Sequence, residues 1–139
     1  MNLEKEFVPY ELSLTLRDLG FDEPCFAFYN GKFIQSTEFD FDSYNSIDVG
    51  HHPLAPTFSQ AFRWFREKRD WQHSIEPTAD QYSHQLGYNY WIWNYKTGEE
   101  YHTMPKNRPS GDWEYKSYEE AELACLIKLI QIVKEKKNG

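Results

Sequence analysis

Tyr88-Asn89-Tyr90-Trp91-Ile92-Trp93-Asn94-Tyr95 is the stretch on which the fold turns. It holds no charge, no Pro and no Gly, and it is dense in aromatic and β-branched side chains. That composition predicts a strand. Successive side chains of a strand point to opposite faces. Tyr88, Tyr90, Ile92 and Asn94 therefore share one face, and Asn89, Trp91, Trp93 and Tyr95 share the other. A strand with one solvated face alternates apolar with polar residues. This one carries large apolar groups on both sides. Either it is central and covered twice, or helices cover the Ile92 face and Trp91, Trp93 and Tyr95 form a platform open to a partner.

Working outward, Lys96-Thr97-Gly98 reads as a turn and Glu99 to Met104 as the returning strand. Pro105 to Gly111 reads as a loop, and Trp113-Glu114-Tyr115 as one more short strand. On the N-terminal side, Thr78 to Gly87 is polar and loop-like. His73-Ser74-Ile75-Glu76 is a short strand that Pro77 should end. From about Pro56 to Lys68, Phe58, Ala61, Phe62 and Phe65 recur at i, i+3, i+4 and i+7, the period of an amphipathic helix.

Both ends of the chain also read as helices. Pro9 suits a first helical turn, Leu12, Leu16 and Leu19 share a face, and Gly20 is a stop signal. Ser117-Tyr118-Glu119-Glu120 is a capping box that opens the last helix. Ala121, Ala124, Ile127 (or Lys128 on the rim), Ile130 and Val133 form its expected inner stripe, widened by Leu123, Leu126 and Leu129. Lys134, Lys136 and Lys137 suit its C-terminal end. Between the first two helices, Cys25 to Tyr29 and Lys32 to Ser36 read as a hairpin turning at Asn30-Gly31. Residues 40–56 read as a long loop, a length that usually marks function or motion.

The expected order is α-ββ-α-β-ββ-α. Adjacent hairpins make the sheet mostly antiparallel, so the fold class is α+β, with about five strands and three helices. At 139 residues the chain is expected to be a single domain, 1–139.

The net charge is -7 and aromatics make up 18%. So many bulky side chains exclude a disordered acidic tail. The acidity argues against a protein that coats nucleic acid. It is also localised: residues 1–55 hold only Lys5, Arg17 and Lys32 as Lys/Arg, whereas Asp and Glu concentrate there, most densely at Asp40 and Asp42 with Asp48 following. No apolar run is long enough to cross a bilayer, and the polar start Met1-Asn2-Leu3-Glu4-Lys5-Glu6 does not resemble a signal peptide. Cys25 and Cys125 fit no metal or redox spacing and are expected to be buried thiols.

Three blocks resemble a known family: Phe21-Asp22-Glu23-Pro24-Cys25-Phe26, residues Gln60 to Lys68, and residues Tyr118 to Leu126, with Met1 to Val8 fitting as well. It is a family of short uncharacterised proteins from phages, prophages and mobile elements of gut Bacteroidales. The C-terminal half also resembles, in pattern, the small phage α-β-α sandwich domain. The likeness implies a phage or prophage product in the cytoplasm of a bacterial host. It implies no catalytic residue.

Motifs for chemistry are sparse. His51-His52 lies near Asp40, Asp42 and Asp48, a set in which a weak metal site is conceivable, but a solvated loop is the simpler expectation. Asp40 and Asp42 alternate with Phe39 and Phe41, as on an edge strand. There is no GxSxG, no Gly-rich phosphate loop and no HExxH. No enzyme activity, cofactor or metal is expected. The function expected is that of a non-enzymatic phage accessory protein binding a host macromolecule, most plausibly a protein, with counter-defence as one version. The expected binding residues are Trp91, Trp93, Tyr95, Asp40 and Asp42. The alternatives are a nucleotide-signal pocket lined by Trp64, Trp71, Trp91 and Trp93 with Arg63, Arg66 or Arg69 at its mouth, and a homodimer through the aromatic face. Nucleic acid and membrane are not expected partners.

Overall fold

The chain folds in the order α1 (Tyr10–Asp18), β1 (Ala27–Asn30), β2 (Phe33–Ser36), α2 (Phe58–Arg69), β3 (Trp71–Ala79), β4 (Leu86–Asn94), β5 (Glu100–His102), α3 (Tyr118–Asn138), with a 3-10 turn at Leu3–Glu6 before α1. These elements come from a computed structural model that describes residues 3–36, 44–45, 49–79, 86–103 and 115–138. The class is α+β with all named strands antiparallel. The strands divide into a two-stranded sheet, β1-β2, and a three-stranded sheet, β3-β4-β5. Backbone proximity divides the chain into two compact units, residues 1–64 with 133–139, and residues 65–132.

In the first unit, α1 ends in a Schellman motif. Phe21 N–H donates to Leu16 O at 2.9 Å and Gly20 N–H to Arg17 O at 3.0 Å, which satisfies carbonyls the helix leaves open. Gly20 has φ 102°, where a Cβ is strained. Gly20→Ala is expected to cost about 1–2 kcal/mol, read as a lowered urea midpoint at unchanged slope. The apolar contact that accompanies this motif has its two partners, Leu16 and Phe21, both buried.

The first hairpin forms, one residue later than expected. Asn30 pairs with Phe33, so Gly31 and Lys32 make the loop. Gly31 has φ 63° and no other residue in the turn has positive φ. Positive φ at the first loop position alone is the mark of a type II′ turn, which wants Gly there. Beyond β1, the stretch read as a loop is tied to it: Cys25 bridges Tyr44 and Phe28 bridges Leu54. Ala27, Tyr29 and Ala55 form a small core, with Phe7, Tyr10 and Ile34 packed against it. Thr57 and Gln60 cap α2: Gln60 N–H donates to Thr57 Oγ1 at 3.2 Å, and Thr57 N–H to Gln60 Oε1 at 2.9 Å. This is a second capping box.

In the second unit β3 runs through Pro77, which was expected to end it. The reason lies in the pairing. Pro77 stands opposite Tyr88, and Tyr88 N–H donates to Tyr115 O at 2.9 Å, away from β3. The two are thus a non-hydrogen-bonded pair, so the N–H that Pro lacks would have faced outward from the sheet. Trp113-Glu114, expected in a short strand, lie outside the described residues, but Tyr115 makes the bridge to Tyr88.

The α3 cap forms as expected at Ser117, whose Oγ accepts Glu120 N–H at 3.1 Å. Glu120 reaches back one residue further, accepting Lys116 N–H at 3.2 Å. The buried row is Ala121, Cys125, Leu126, Leu129, Ile130, Ile132 and Val133. Ile127, expected inside, is 46% exposed. Steps of three residues fall about 60° short of a full turn each, so a strict i+3 row drifts off the face that the i+4 row keeps. No described helix is long and apolar enough to cross a membrane.

Candidate functional site

The two faces of the three-stranded sheet differ in cover. On one face, His73 and Tyr101 flank Ile92, which is fully buried. Helix α3 lies against this face. Lys128 of α3 places its ammonium 5.0 Å from the Tyr101 ring centroid, and Tyr118 meets the Tyr88 ring edge-on at 6.1 Å. Trp71 is also buried here, 6.2 Å from Tyr101. Burial pushes the His73 pKa down to about 4, with the Arg66 charge on α2 lowering it further.

The other face is where the register collects the polar and indole groups. Ser74 pairs with Trp91 and Glu76 with Asn89 across β3-β4. Trp91 pairs with His102 and Trp93 with Glu100 across β4-β5. Trp91 is 41% exposed, a high value for the middle of a central strand. Its ring lies 5.2 Å from that of Trp93, tilted by 51°. The Ile92 face buries its central side chain completely, whereas the other face leaves Trp91 exposed, Trp93 half-buried and Asn89 buried; Tyr95, expected in the same platform, lies in the turn beyond β4.

A cavity of about 230 Å³ opens on this face, lined by Glu76, Asn89, Tyr90, Trp91, Glu100 and His102. Its volume lies below the ~300–1,000 Å³ of ordinary small-molecule clefts and suits one large side chain or one ring. Ser74 Oγ–H donates to Glu76 Oε1 at 3.3 Å, which orients that carboxylate. No described lining residue is Lys or Arg.

Asn89 stands apart among the buried polar residues. Ser13, Asn89 and Asn94 are the three described. Ser13 Oγ–H donates to Val8 O at 3.2 Å. Asn94 Oδ1 accepts the N–H groups of Lys96 and Thr97 at 2.9 and 3.1 Å. Asn89 is 3% exposed, and neither its Oδ1 nor its Nδ2 has a partner. A buried polar group without a partner costs about 1–3 kcal/mol and calls for an explanation.

The other expected site residues are not brought to this cavity. Tyr95 is exposed in the turn beyond β4, its hydroxyl donating to Asp70 Oδ1 at 3.4 Å, where Lys96 also pairs at 3.2 Å. Asp40, Asp42 and Asp48 lie outside the described residues. His51 and His52 are exposed, and no cluster of potential metal ligands occurs among the described residues. The four-tryptophan pocket does not form around Trp91 and Trp93, because Trp71 lies on the opposite face of the sheet. Both thiols are buried. Burial, then Glu23 and Asp22, pushes Cys25 up to about 12, and burial with Glu122 raises Cys125 as well. Neither is a nucleophile near neutral pH.

The sequence names Trp91 and Trp93, which share this face, and does not name Asn89, Glu76, Glu100 and His102, which line the cavity with Trp91. The signal for Asn89 is its place as the polar member of the Trp91 face. Glu76, Glu100 and His102 needed the strand register. No family model, no curated protein and no solved structure matches the chain.

Proposed function

We propose that this chain is a non-enzymatic binding protein that docks another protein on its open Trp91/Trp93 face. One observation carries the reading: Trp91 is exposed, with half-buried Trp93 beside it, on a central strand whose opposite face buries Ile92. Water-exposed Trp pairs are costly as mere surface and favourable as contact area, since they bring much apolar area with few torsions to freeze. The acidic rim selects the partner. Glu76 and Glu100 favour a basic surface and repel phosphate groups, which speaks against a nucleotide ligand or nucleic acid here. A second copy of the chain would set carboxylates against carboxylates, so a different protein suits the face better than a homodimer. The family resemblance suggests that this partner is a host protein met by a phage product, with counter-defence as one outcome.

Affinity capture tests the reading. The tagged wild-type protein is compared with Trp91→Ala/Trp93→Ala in lysate of the encoding host. Removing both indoles is expected to weaken partner retention about tenfold or more, with an unchanged far-UV circular dichroism spectrum. Identical captured proteins for both forms would refute it.

A further inference from the structure

The unpartnered amide of Asn89 narrows the kind of surface this face takes. We propose that the cavity beside Trp91 receives the side chain of an arginine in an extended segment of the partner protein, while Asn89 clamps that segment's backbone. The proposal rests on the reading of the Trp91/Trp93 face as a docking surface.

The chemistry of each group points the same way. The Asn89 side chain offers one acceptor and a donor pair, whichever way its amide is turned. One residue of an extended chain offers the complement, because its own N–H and C=O point to the same side. That N–H donates to Oδ1 and that C=O accepts from Nδ2. A lone cation would satisfy only the oxygen, and an inorganic anion only the nitrogen. Both Asn89 atoms are buried without a partner at the cavity wall, so a backbone residue reaching them replaces no existing bond.

The rest of the lining specifies the side chain. Glu76 and Glu100 put two carboxylates at the cavity beside an indole. A guanidinium meets all three, stacking on the indole by cation–π attraction and forking its N–H donors to carboxylates. An ammonium is a compact point charge and makes the stacked and forked contacts less well. Adenine is the other group that an Asn amide grips with two bonds, but its phosphates would face Glu76 and Glu100.

The test is a tryptophan-fluorescence titration of the full chain with the peptide acetyl-GSRSG-amide. Its citrulline counterpart has nearly the same shape without the charge, and its lysine counterpart keeps the charge without the fork. Saturable binding of the arginine peptide is expected. The citrulline peptide should bind about tenfold more weakly, because it loses the charge-assisted bonds and the cation–π contact. The lysine peptide should fall between them. Asn89→Leu should weaken the arginine peptide about fivefold or more, and by a larger factor than methylguanidinium, which has no backbone to clamp. Glu76→Gln/Glu100→Gln should weaken both probes.

Equal affinity for arginine and citrulline peptides overturns the proposal. So does wild-type peptide affinity in Asn89→Leu, or an absence of binding by every peptide. If these arms fail while capture of the partner still requires Trp91 and Trp93, the docking face stands and the arginine clamp is wrong. If capture does not require the two indoles, the docking reading fails and the clamp fails with it.

Discussion

Between about pH 7 and pH 4.5 the protein is expected to lose about 2–3 kcal/mol of folding stability through one imidazole, His73. Burial holds its folded pKa down at about 4, with Arg66 adding to the effect. In the unfolded chain the same group titrates near ~6.5. Between those values the unfolded state binds a proton that the folded state refuses. Stability therefore rises with pH across this window. The contribution is fully present above ~6.5 and is lost as the pH falls toward ~4. The slope is about 1.4 kcal/mol per pH unit. Urea unfolding at a series of pH values, for wild type and His73→Gln, checks it. Carboxylates that titrate in the same range do so in both proteins and cancel in the comparison. The wild-type curve should fall more steeply than that of the variant. Parallel curves would remove His73 from the acid response.

Asn89→Leu is expected to raise the stability of the ligand-free protein by about 1–3 kcal/mol. Few single substitutions in a buried strand do so, because most changes there leave a cavity or a clash. Here the native side chain is close to Leu in size, sits 3% exposed, and brings two polar atoms that find no partner. An apolar isostere removes the desolvation cost and keeps the volume. Denaturant unfolding should give a higher midpoint at unchanged slope. Combined with the loss of peptide binding, this outcome would mark Asn89 as a residue kept for recognition at the expense of stability. A loss of stability on substitution would mean that the amide supports the fold, and the clamp would lose its motive.

The strand is legible over Tyr88 to Asn94 because its composition leaves little else, although it starts two residues earlier, at Leu86, and Tyr95 falls in the turn; the split of its side chains follows from period two alone. Which face stayed open was not legible. That depended on where α2 and α3 lie, and an all-round apolar strand carries no information on which side a helix will choose. The capping box at Ser117 was readable because its chemistry is local. The hairpin turn was misplaced by one residue because Asn30 and Gly31 both accept positive φ, and only the register decides between them. Pro77 was read as a stop because Pro lacks a donor. The pairing phase that makes this harmless belongs to the sheet, not to the tetrapeptide around it. The acidic rim of the site was invisible for the same reason: Glu76, Trp91 and Glu100 become neighbours only once three strands are in register.

The outward-facing ring of Pro77 also bears on the outer edge of this sheet. From Leu86 to Tyr95 the chain is uncharged, free of Pro and rich in aromatics, the composition of segments that stack into cross-β fibrils. As the central strand, β4 has its own edges occupied by β3 and β5. The hazard passes to β3, whose outer edge could template another chain. A proline at position 77 interrupts that row of donors, and Glu76 next to it adds charge. The outer edge of β3 is thus a poor template for a fibril, on a sheet that shows Trp91 to its surroundings.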